Sequence, residues 1–436
     1  MTSASIVPAI CSSEASSSLC VKLQCVASFH AINKCGVYYG SNVHTMRIRL
    51  SLPPQRKLAT IPLSTLFARH RSPLLAQVRP LHFALAKSAY RYALLRTVSQ
   101  RRALFTDALP DFLVPPVIFA GLLLTLWTYK CFMTVVFQDK VIYMPYMPPF
   151  ARSEKILNYA DICKPVQWEE RRIQSLDGTK ISLCIGTAPR ETAKESASIP
   201  MTHIVICYFQ GNGSSTPPRL PLLSQVLRLV DAQRCESIQY TLVALSYRGY
   251  WTSSGRASQV GIELDAQAML QWIAIEYVAD VDTRIVLWGQ SIGAGVASTA
   301  AATYLSSKQQ RHLQISGLIL ETPFTSIKSM LLALYPQKWL PYQYLHPFLW
   351  NHWNSEEALR RIATCEGKRP SLFLMPAGRD EVVPPTEIAK IERLCQELRL
   401  EFVRKDVIGA LHTEASMRRE GQAAIAKFII ALSNVK

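Results

Sequence analysis

The first 110 residues contain only two acidic side chains, Glu14 and Asp107, against fourteen Lys and Arg. That shortage puts about twelve of the seventeen net positive charges in the first quarter of the chain, so the excess does not describe a basic surface on the rest. The interleaving of basic and aromatic residues that marks nucleic-acid modules is also missing, which excludes nucleic acid as the expected partner. The eleven cysteines show no paired spacing, and four fall in the basic quarter. A disulfide framework and a structural zinc site are therefore set aside. Cys184 and Cys207 sit in strand patterns, where a thiol behaves as a small hydrophobe. No phosphate-binding glycine loop and no internal repeat is present, and no cofactor is expected.

What remains is largely a folding chain, with a hydrophobic fraction of 49% over 436 residues. Its basic quarter is rich in Ser, Ala, Leu and Arg and has no long apolar periodicity, the composition of a targeting segment. From Met46, the run Arg47, Arg49, Arg56, Lys57, Arg69, Arg71 and Arg79 looks like a mitochondrial presequence that begins at an internal methionine. The alternative is a disordered basic tail ahead of a membrane anchor. No secretory signal of the usual form opens the chain.

Phe112 to Tyr129 has no charged residue over eighteen positions. As a helix it reaches roughly 27 Å, just short of a hydrocarbon core of about 30 Å. Cys131 to Phe137 extends the apolar run, Lys130 can snorkel to a headgroup, and Trp127 and Tyr129 suit the interface. A buried core helix is the competing reading; a single membrane span is preferred. Arg91, Arg96, Arg101 and Arg102 lie on its N-terminal side, which predicts that residues after 140 face away from the cytosol or matrix. The expected location is a membrane, either of the endoplasmic reticulum or of mitochondria.

Beyond the proline- and aromatic-rich stretch Val141 to Pro149, strands and helices alternate. Asp177-Gly178 marks a tight hairpin turn. Glu191 to Ser198 reads as an exposed loop. His203 to Phe209, Tyr240 to Tyr247, Ile285 to Trp288, Ile315 to Leu320 and Ser371 to Pro376 read as strands, and Glu263 to Tyr277 has helical spacing. Such alternation predicts a mostly parallel sheet covered on both faces.

Three patterns carry chemistry. Gly289-Gln290-Ser291-Ile292-Gly293, between an apolar strand and a small-residue helix, has the spacing of a nucleophile elbow. There the serine occupies a strained turn, and glycines on either side let strand and helix pass closely. Gln210-Gly211-Asn212-Gly213 follows an earlier strand, where this architecture supplies one donor to an oxyanion hole; the other comes from the residue after the nucleophile. Asn212 and Ile292 are the candidate donors. An ordinary turn is the competing reading, and the glycosylation sequon Asn212-Gly213-Ser214 would block such a site if modified. The third pattern is Asp380 after a strand, followed by His412 in a loop after the next strand, in the order Ser, Asp, His that such sites use.

Together these pieces resemble a membrane-anchored branch of the alpha/beta-hydrolase superfamily, the group containing acylprotein thioesterases and lysophospholipid lipases with one N-terminal span. The resemblance covers nearly 300 residues. It rests on Phe137-Gln138, Tyr143-Met144-Pro145, Gly211-Asn212, Tyr247-Arg248-Gly249-Tyr250, Gly289 to Gly293, Glu321 to Ser326 and Gly378 to Pro384, in the family's order. It implies an alpha/beta-hydrolase fold, a mostly parallel sheet flanked by helices, with Ser291 as nucleophile, Asp380 as triad acid and His412 as base. Glu381 and Glu321 are rival acids. The family usually has histidine at Gln210, glycine at Trp251, and Asn-Asp where this chain has Thr413-Glu414, which bears on substrate choice more than on the triad.

The expected organisation is a basic targeting segment over 1–110, a transmembrane helix over 111–137, a connector over 138–165 and a hydrolase domain over 166–436. Within the last, about 325–365 is an insertion dense in aromatics, among them Tyr335, Trp339, Tyr342, Tyr344, Phe348, Trp350 and Trp353. It can form a small helical lid for an acyl chain, or a helix pair that merely packs on the domain. His346 and His352 do not share a helical face, and Glu356 is the only further ligand type nearby, so no metal site is expected. The expected function is hydrolysis of carboxylic esters or thioesters, of lipid or acylprotein type, through an acyl-serine. A serine peptidase of related fold and a catalytically silent scaffold are the alternatives.

Overall fold

The computed structural model describes residues 110–189, 202–233, 238–277, 282–307, 313–338 and 340–433. The expected targeting segment up to residue 109, the Glu191 to Ser198 loop and Trp339 lie outside the described residues. The chain divides into two units between Gly121 and Leu122, and the folded domain belongs to the second.

A 3-10 turn, Asp111–Leu113, leads into helix α1 (Val114–Val136), none of whose residues is buried. Leu122, Leu124, Leu126 and Phe132 are each about 60% exposed or more, which is not how a core helix of a globular domain sits. Asp111–Val136 is long and apolar enough to cross a membrane. After Phe137 comes the short helix α2 (Gln138–Tyr143), and a further turn of helix, α3 (Ala160–Cys163), precedes the sheet.

Strands β1 (Gln167–Gln174) and β2 (Lys180–Thr187) form the predicted hairpin about Asp177-Gly178. Then β3 (Thr202–Phe209), α4 (Leu220–Asp231), β4 (Ile238–Ser246), α5 (Gln259–Tyr277), β5 (Asp282–Gln290), α6 (Ile292–Ser306) and β6 (Gln314–Glu321) alternate. Two helices, α7 (Ile327–Leu334) and α8 (Ser355–Thr364), precede β7 (Ser371–Met375), and α9 (Pro385–Glu397), β8 (Phe402–Arg404) and α10 (Arg419–Ser433) complete the domain. The sheet order is β1-β2-β4-β3-β5-β6-β7-β8; β1 and β2 join antiparallel, and β4 onward is parallel.

The sheet's burial on both faces explains the unbroken apolar strands. In β3, Val205, Cys207 and Phe209 enter one apolar layer while Ile204, Ile206 and Tyr208 enter the other, the period of two expected of a pleated strand. The first layer is closed by α5, α6, α8 and α9, through residues such as Leu270, Ala297, Leu359 and Ile391. The second is closed by α4 and α10, through Val226, Leu227, Ile425 and Ile429. Each of the Leu, Ile and Val side chains among these, fully buried, contributes about 1.5–3 kcal/mol. This rigid sheet sets where the loops at its C-terminal edge must stand.

Candidate active site

Register brings that edge to one level, with Phe209 beside Gly289 and Gln290 beside Glu321. Ser291 follows directly. Its backbone sits at φ 54° and ψ −119°, a conformation that side-chain-bearing residues rarely adopt, and it opens the 15-residue α6. The turn is locked by Ser291 N donating to Glu321 O (2.9 Å) and Ala294 N donating to Ser291 O (2.9 Å). Both elbow glycines are sterically required. A Cβ on Gly289 would stand 2.1 Å from the carbonyl oxygen of Gly293, and one on Gly293 would stand 2.1 Å from that of Phe209. Backbone on both sides cannot yield, so Gly293→Ala is expected to lower the yield of folded protein sharply, whereas Ala294→Gly, one position on, changes it little; soluble yield and thermal melting of the pair distinguish the two outcomes.

The loops after β7 and β8 deliver the partners. Gly378 N donates to Val407 O (2.8 Å) and Arg379 N to Ala410 O (2.9 Å), so the acid loop and the histidine loop are joined through backbone. Asp380 Oδ1 accepts from the N–H groups of Val382 (2.9 Å) and Val383 (2.8 Å), and Oδ2 lies 2.9 Å from His412 Nδ1. On the other side of the ring, Nε2 lies 2.9 Å from Ser291 Oγ. The His412 and Asp380 side chains are only 7% and 10% accessible, so water competes little for these bonds. The two rival acids are engaged elsewhere. Glu381 Oε2 accepts from the backbone N–H of His412 (2.9 Å), orienting its loop rather than its ring. Glu321 is buried and accepts from Trp288 Nε1 (3.1 Å), Gln290 Nε2 (3.2 Å) and Ser416 N (3.0 Å). Burial pushes its carboxyl above the usual range despite these donors.

The loop bearing Asn212 packs against the serine: a Cβ on Gly211 would stand 3.5 Å from both Ser291 Cβ and Gln290 O, ordinary contact distance. The backbone N–H of Asn212 thus belongs to a segment beside Ser291, and that of Ile292 to the first turn of α6. Gln210 braces the loop, its side-chain oxygen accepting from Thr216 Oγ1 (3.3 Å) and its carbonyl from Tyr247 OH (2.8 Å). Trp251 stands apart. Its indole donates to Glu154 O (2.7 Å) and packs in the second apolar layer, and its φ of 38° is one that glycine adopts more freely.

Several supporting groups had no signal in the sequence. Gln290, the variable residue of the elbow, accepts from Arg219 Nη1 (2.7 Å) and Tyr208 OH (3.3 Å) while donating to Glu321, so the elbow is anchored from below. Helix α2 acts as a strap over two parts of the site. Tyr143 O accepts from Gly213 N (2.8 Å) and Met147 O accepts from Ser214 N, holding the Asn212 loop. Gln138 and Asp139 hold the far end of the insertion: Gln138 Nε2 donates to Phe348 O (3.0 Å), and Trp350 Nε1 donates to Asp139 Oδ1 (3.0 Å). Buried Tyr143 links both, its hydroxyl donating to Asn351 Oδ1 (2.7 Å) and accepting from Trp353 Nε1 (2.8 Å). The resemblance had singled out Gln138 and Tyr143; nothing singled out Asn351. Tyr143→Phe leaves the buried indole N–H of Trp353 unpaired and removes one of two donors to Asn351 Oδ1, which keeps the backbone N–H of Gln259 (2.9 Å), and it is expected to lower stability by about 1–3 kcal/mol in chemical denaturation; a loss below about 0.5 kcal/mol would show that the hydroxyl does not hold the strap.

The aromatic stretch divides in two. A 3-10 segment after α7, Pro341–Phe348, carries Tyr344 and Phe348, and Trp350 follows it, each about half exposed, whereas Trp353 is wholly buried and α8 packs its apolar face into the first layer. The stretch is tied down at its start by Glu387, which accepts from Thr325 N (2.9 Å) and Ser329 Oγ (2.6 Å). Among the described residues no group of three His, Cys, Asp or Glu side chains is arranged to hold a metal, and the six described cysteines are free thiols.

No protein-family model matches the chain. It is 32% identical over 203 residues to protein bem46 of Schizosaccharomyces pombe, a match covering 47% of this chain and 60% of that protein. A shorter match, 30% identical over 132 residues, links it to the lysophosphatidylserine lipase ABHD12 of Bos taurus, covering 30% of this chain and 29% of that one. A solved alpha-beta hydrolase of Vibrio vulnificus superposes with a TM-score of 0.49 at 19% identity, covering 68% of this chain and 92% of that one. The alpha/beta hydrolase domain-containing protein WAV2 of Arabidopsis thaliana is 30% identical over 266 residues, 58% of this chain and 73% of that protein. By that coverage, and by the strand order that carries Ser291, Asp380 and His412 to one sheet edge, the chain belongs to the alpha/beta-hydrolase family.

Proposed function

We propose that this protein is a membrane-anchored serine hydrolase that cleaves carboxylic esters or thioesters of lipid or acylprotein type through an acyl intermediate on Ser291. The observation that carries the reading is the chain of hydrogen bonds from Ser291 Oγ through His412 to Asp380, starting at a serine held in a strained turn. As Oγ attacks the acyl carbonyl carbon, His412 Nε2 takes its proton and Asp380 stabilises the resulting imidazolium. The carbonyl oxygen becomes an anion facing the backbone N–H groups of Ile292 and Asn212, at the positive end of α6. His412 then protonates the leaving alcohol or thiol. A water enters, gives its proton to His412 and attacks the acyl carbon, and Ser291 recovers its proton as the acid departs.

An acyl substrate drawn from a membrane is favoured by two features. Helix α1 exposes an apolar surface throughout, consistent with a span in lipid. The half-exposed aromatics of the α7 insertion stand on the same domain, and Lys130 of α1 lies 5.4 Å over the ring of Tyr342, so the insertion adjoins that helix. The lipase name of one relative points the same way. The test is a substrate panel on the detergent-solubilised full chain: monoacyl phospholipids, long-chain acyl thioesters, short-chain esters and peptides, together with fluorophosphonate labelling. Turnover of long acyl esters or thioesters with labelling supports the reading, and turnover of peptides alone moves it to a peptidase. Absence of both labelling and turnover from folded protein leaves a scaffold.

A further inference from the structure

A cleft whose lining does not include Ser291 lies at the C-terminal end of α1, with a volume of about 490 Å³. Its walls come from Val136 and Phe137 at the end of that helix, from Lys140 and Tyr146 just beyond it, from Arg152, and from the Gly249 to Ala257 loop, which supplies Arg256. Three cationic residues therefore line one space. Among the described residues, none of the three pairs with a carboxylate. The single acid in the cleft, Asp139, has one oxygen, Oδ1, turned to Trp350 Nε1 and Asn351 Nδ2; these neutral donors hold it without cancelling its charge, so the lining carries three positive charges against one negative.

One cation is held in place without being neutralised. Arg152 Nε donates to Trp251 O (3.0 Å) and one terminal nitrogen donates to Ser253 O (3.0 Å). Carbonyl acceptors fix a guanidinium but carry no net charge, so its positive field and its remaining N–H groups are left for another partner. Lys140 lies 4.9 Å over the ring of Phe137, a contact that likewise leaves its charge in place. This is the chemistry of an anion site. Its depth suggests the anion: Val136 is the last residue of the apolar helix, and Val141, Tyr146 and Phe150, all exposed apolar side chains, follow within fourteen residues. Cations at that level meet lipid phosphate first.

We propose that this cleft binds the phosphate of one anionic phospholipid, with Lys140, Arg152 and Arg256 as its ligands and with the acyl chains lying along the end of α1. The site is separate from the hydrolytic centre, and it rests on the reading of α1 as a membrane span. That reading is tested on its own by alkaline carbonate extraction of membranes, from which a spanning protein is not released.

The experiment is native mass spectrometry of the detergent-solubilised full chain titrated with dioleoylphosphatidylglycerol or dioleoylphosphatidylcholine. Wild type is expected to retain one phosphatidylglycerol in preference to phosphatidylcholine. Arg256→Glu and Lys140→Glu are each expected to weaken that retention by roughly tenfold, while fluorophosphonate labelling of Ser291 persists and reports that the domain is folded. Millimolar glycerol 3-phosphate is expected to compete only weakly. Equal retention of the two lipids, or unchanged retention in both variants, overturns the proposal. Glycerol 3-phosphate that displaces the lipid completely overturns its assignment to a lipid and makes the cleft a site for soluble phosphate esters.

Discussion

Ser291→Ala and His412→Ala are each expected to abolish fluorophosphonate labelling and to lower ester turnover by roughly 10⁴- to 10⁶-fold. The expectation follows from dependence rather than addition. In the proposed mechanism Ser291 Oγ is a poor nucleophile until His412 Nε2, 2.9 Å away, removes its proton, and His412 has no role without that proton. The double variant is therefore expected to be no worse than either single one. Asp380→Asn keeps the shape but loses the charge that stabilises the imidazolium, and a fall of about 10⁴-fold is expected in kcat with KM little changed. A matching melting temperature must accompany each variant, because Asp380 also holds the turn at Val382 and Val383. Labelling that survives in His412→Ala would remove the histidine from the mechanism.

The largest effect on stability is expected at Arg248, in the Tyr247-Arg248-Gly249-Tyr250 motif. Its guanidinium pairs with Asp265 of α5 at 2.8 Å and with Asp177 of the β1–β2 turn at 2.7 Å, and it also donates to Ser175 Oγ (3.1 Å). Asp265 is wholly buried. Arg248→Ala strands that carboxylate away from water, and such a broken buried pair costs about 3–5 kcal/mol. Thermal melting should fall by roughly 6–15 °C. Replacing the buried pair by apolar residues, Arg248→Met with Asp265→Leu, is expected to recover much of the loss, because no buried charge is then left unpaired and Asp177, more than a third exposed, is solvated by water.

The same cluster gives a pH signature. The Arg248 guanidinium bonded to Asp177 holds that carboxyl well below the ordinary carboxylate range. A depressed folded-state value means that the associated stability is present above the unfolded-state value and is lost as pH falls through the acid range. The gap between wild type and Arg248→Ala should therefore narrow on acidification. Asp177 is more than a third exposed, so its share of that gap is small. A gap that widens on acidification would contradict the assignment.

Much of the layout was legible in the chain because it follows from local rules. Apolar runs between turn residues located the strands, and Asp177-Gly178 located a hairpin. The glycines about Ser291 reflect a steric demand that only glycine meets, seen at 2.1 Å in the folded chain. Asp380 and His412 were legible as loop residues after successive strands, since a parallel sheet places all such loops on one edge.

Other features were decided by packing between residues far apart in the chain. The strap is one: Gln138 to Tyr143 grips Phe348 to Trp353 across more than 200 residues, a pairing that no spacing announces. Glu321 is another. As a residue at a strand end it qualifies as a catalytic acid, yet its neighbours Trp288, Gln290 and Ser416 turn it inward as a support for the elbow. Trp251 shows the same division, for its sequence position directly after Tyr247-Arg248-Gly249-Tyr250 says nothing of the direction its indole takes. By itself the sequence determined the elements, their order and the residue types at the sheet edge, because backbone sterics and apolar periodicity act over a few residues. Which polar groups brace one another, and which face Ser291, was decided only in the tertiary structure, where burial and hydrogen-bond geometry select among partners that the chain alone leaves equivalent.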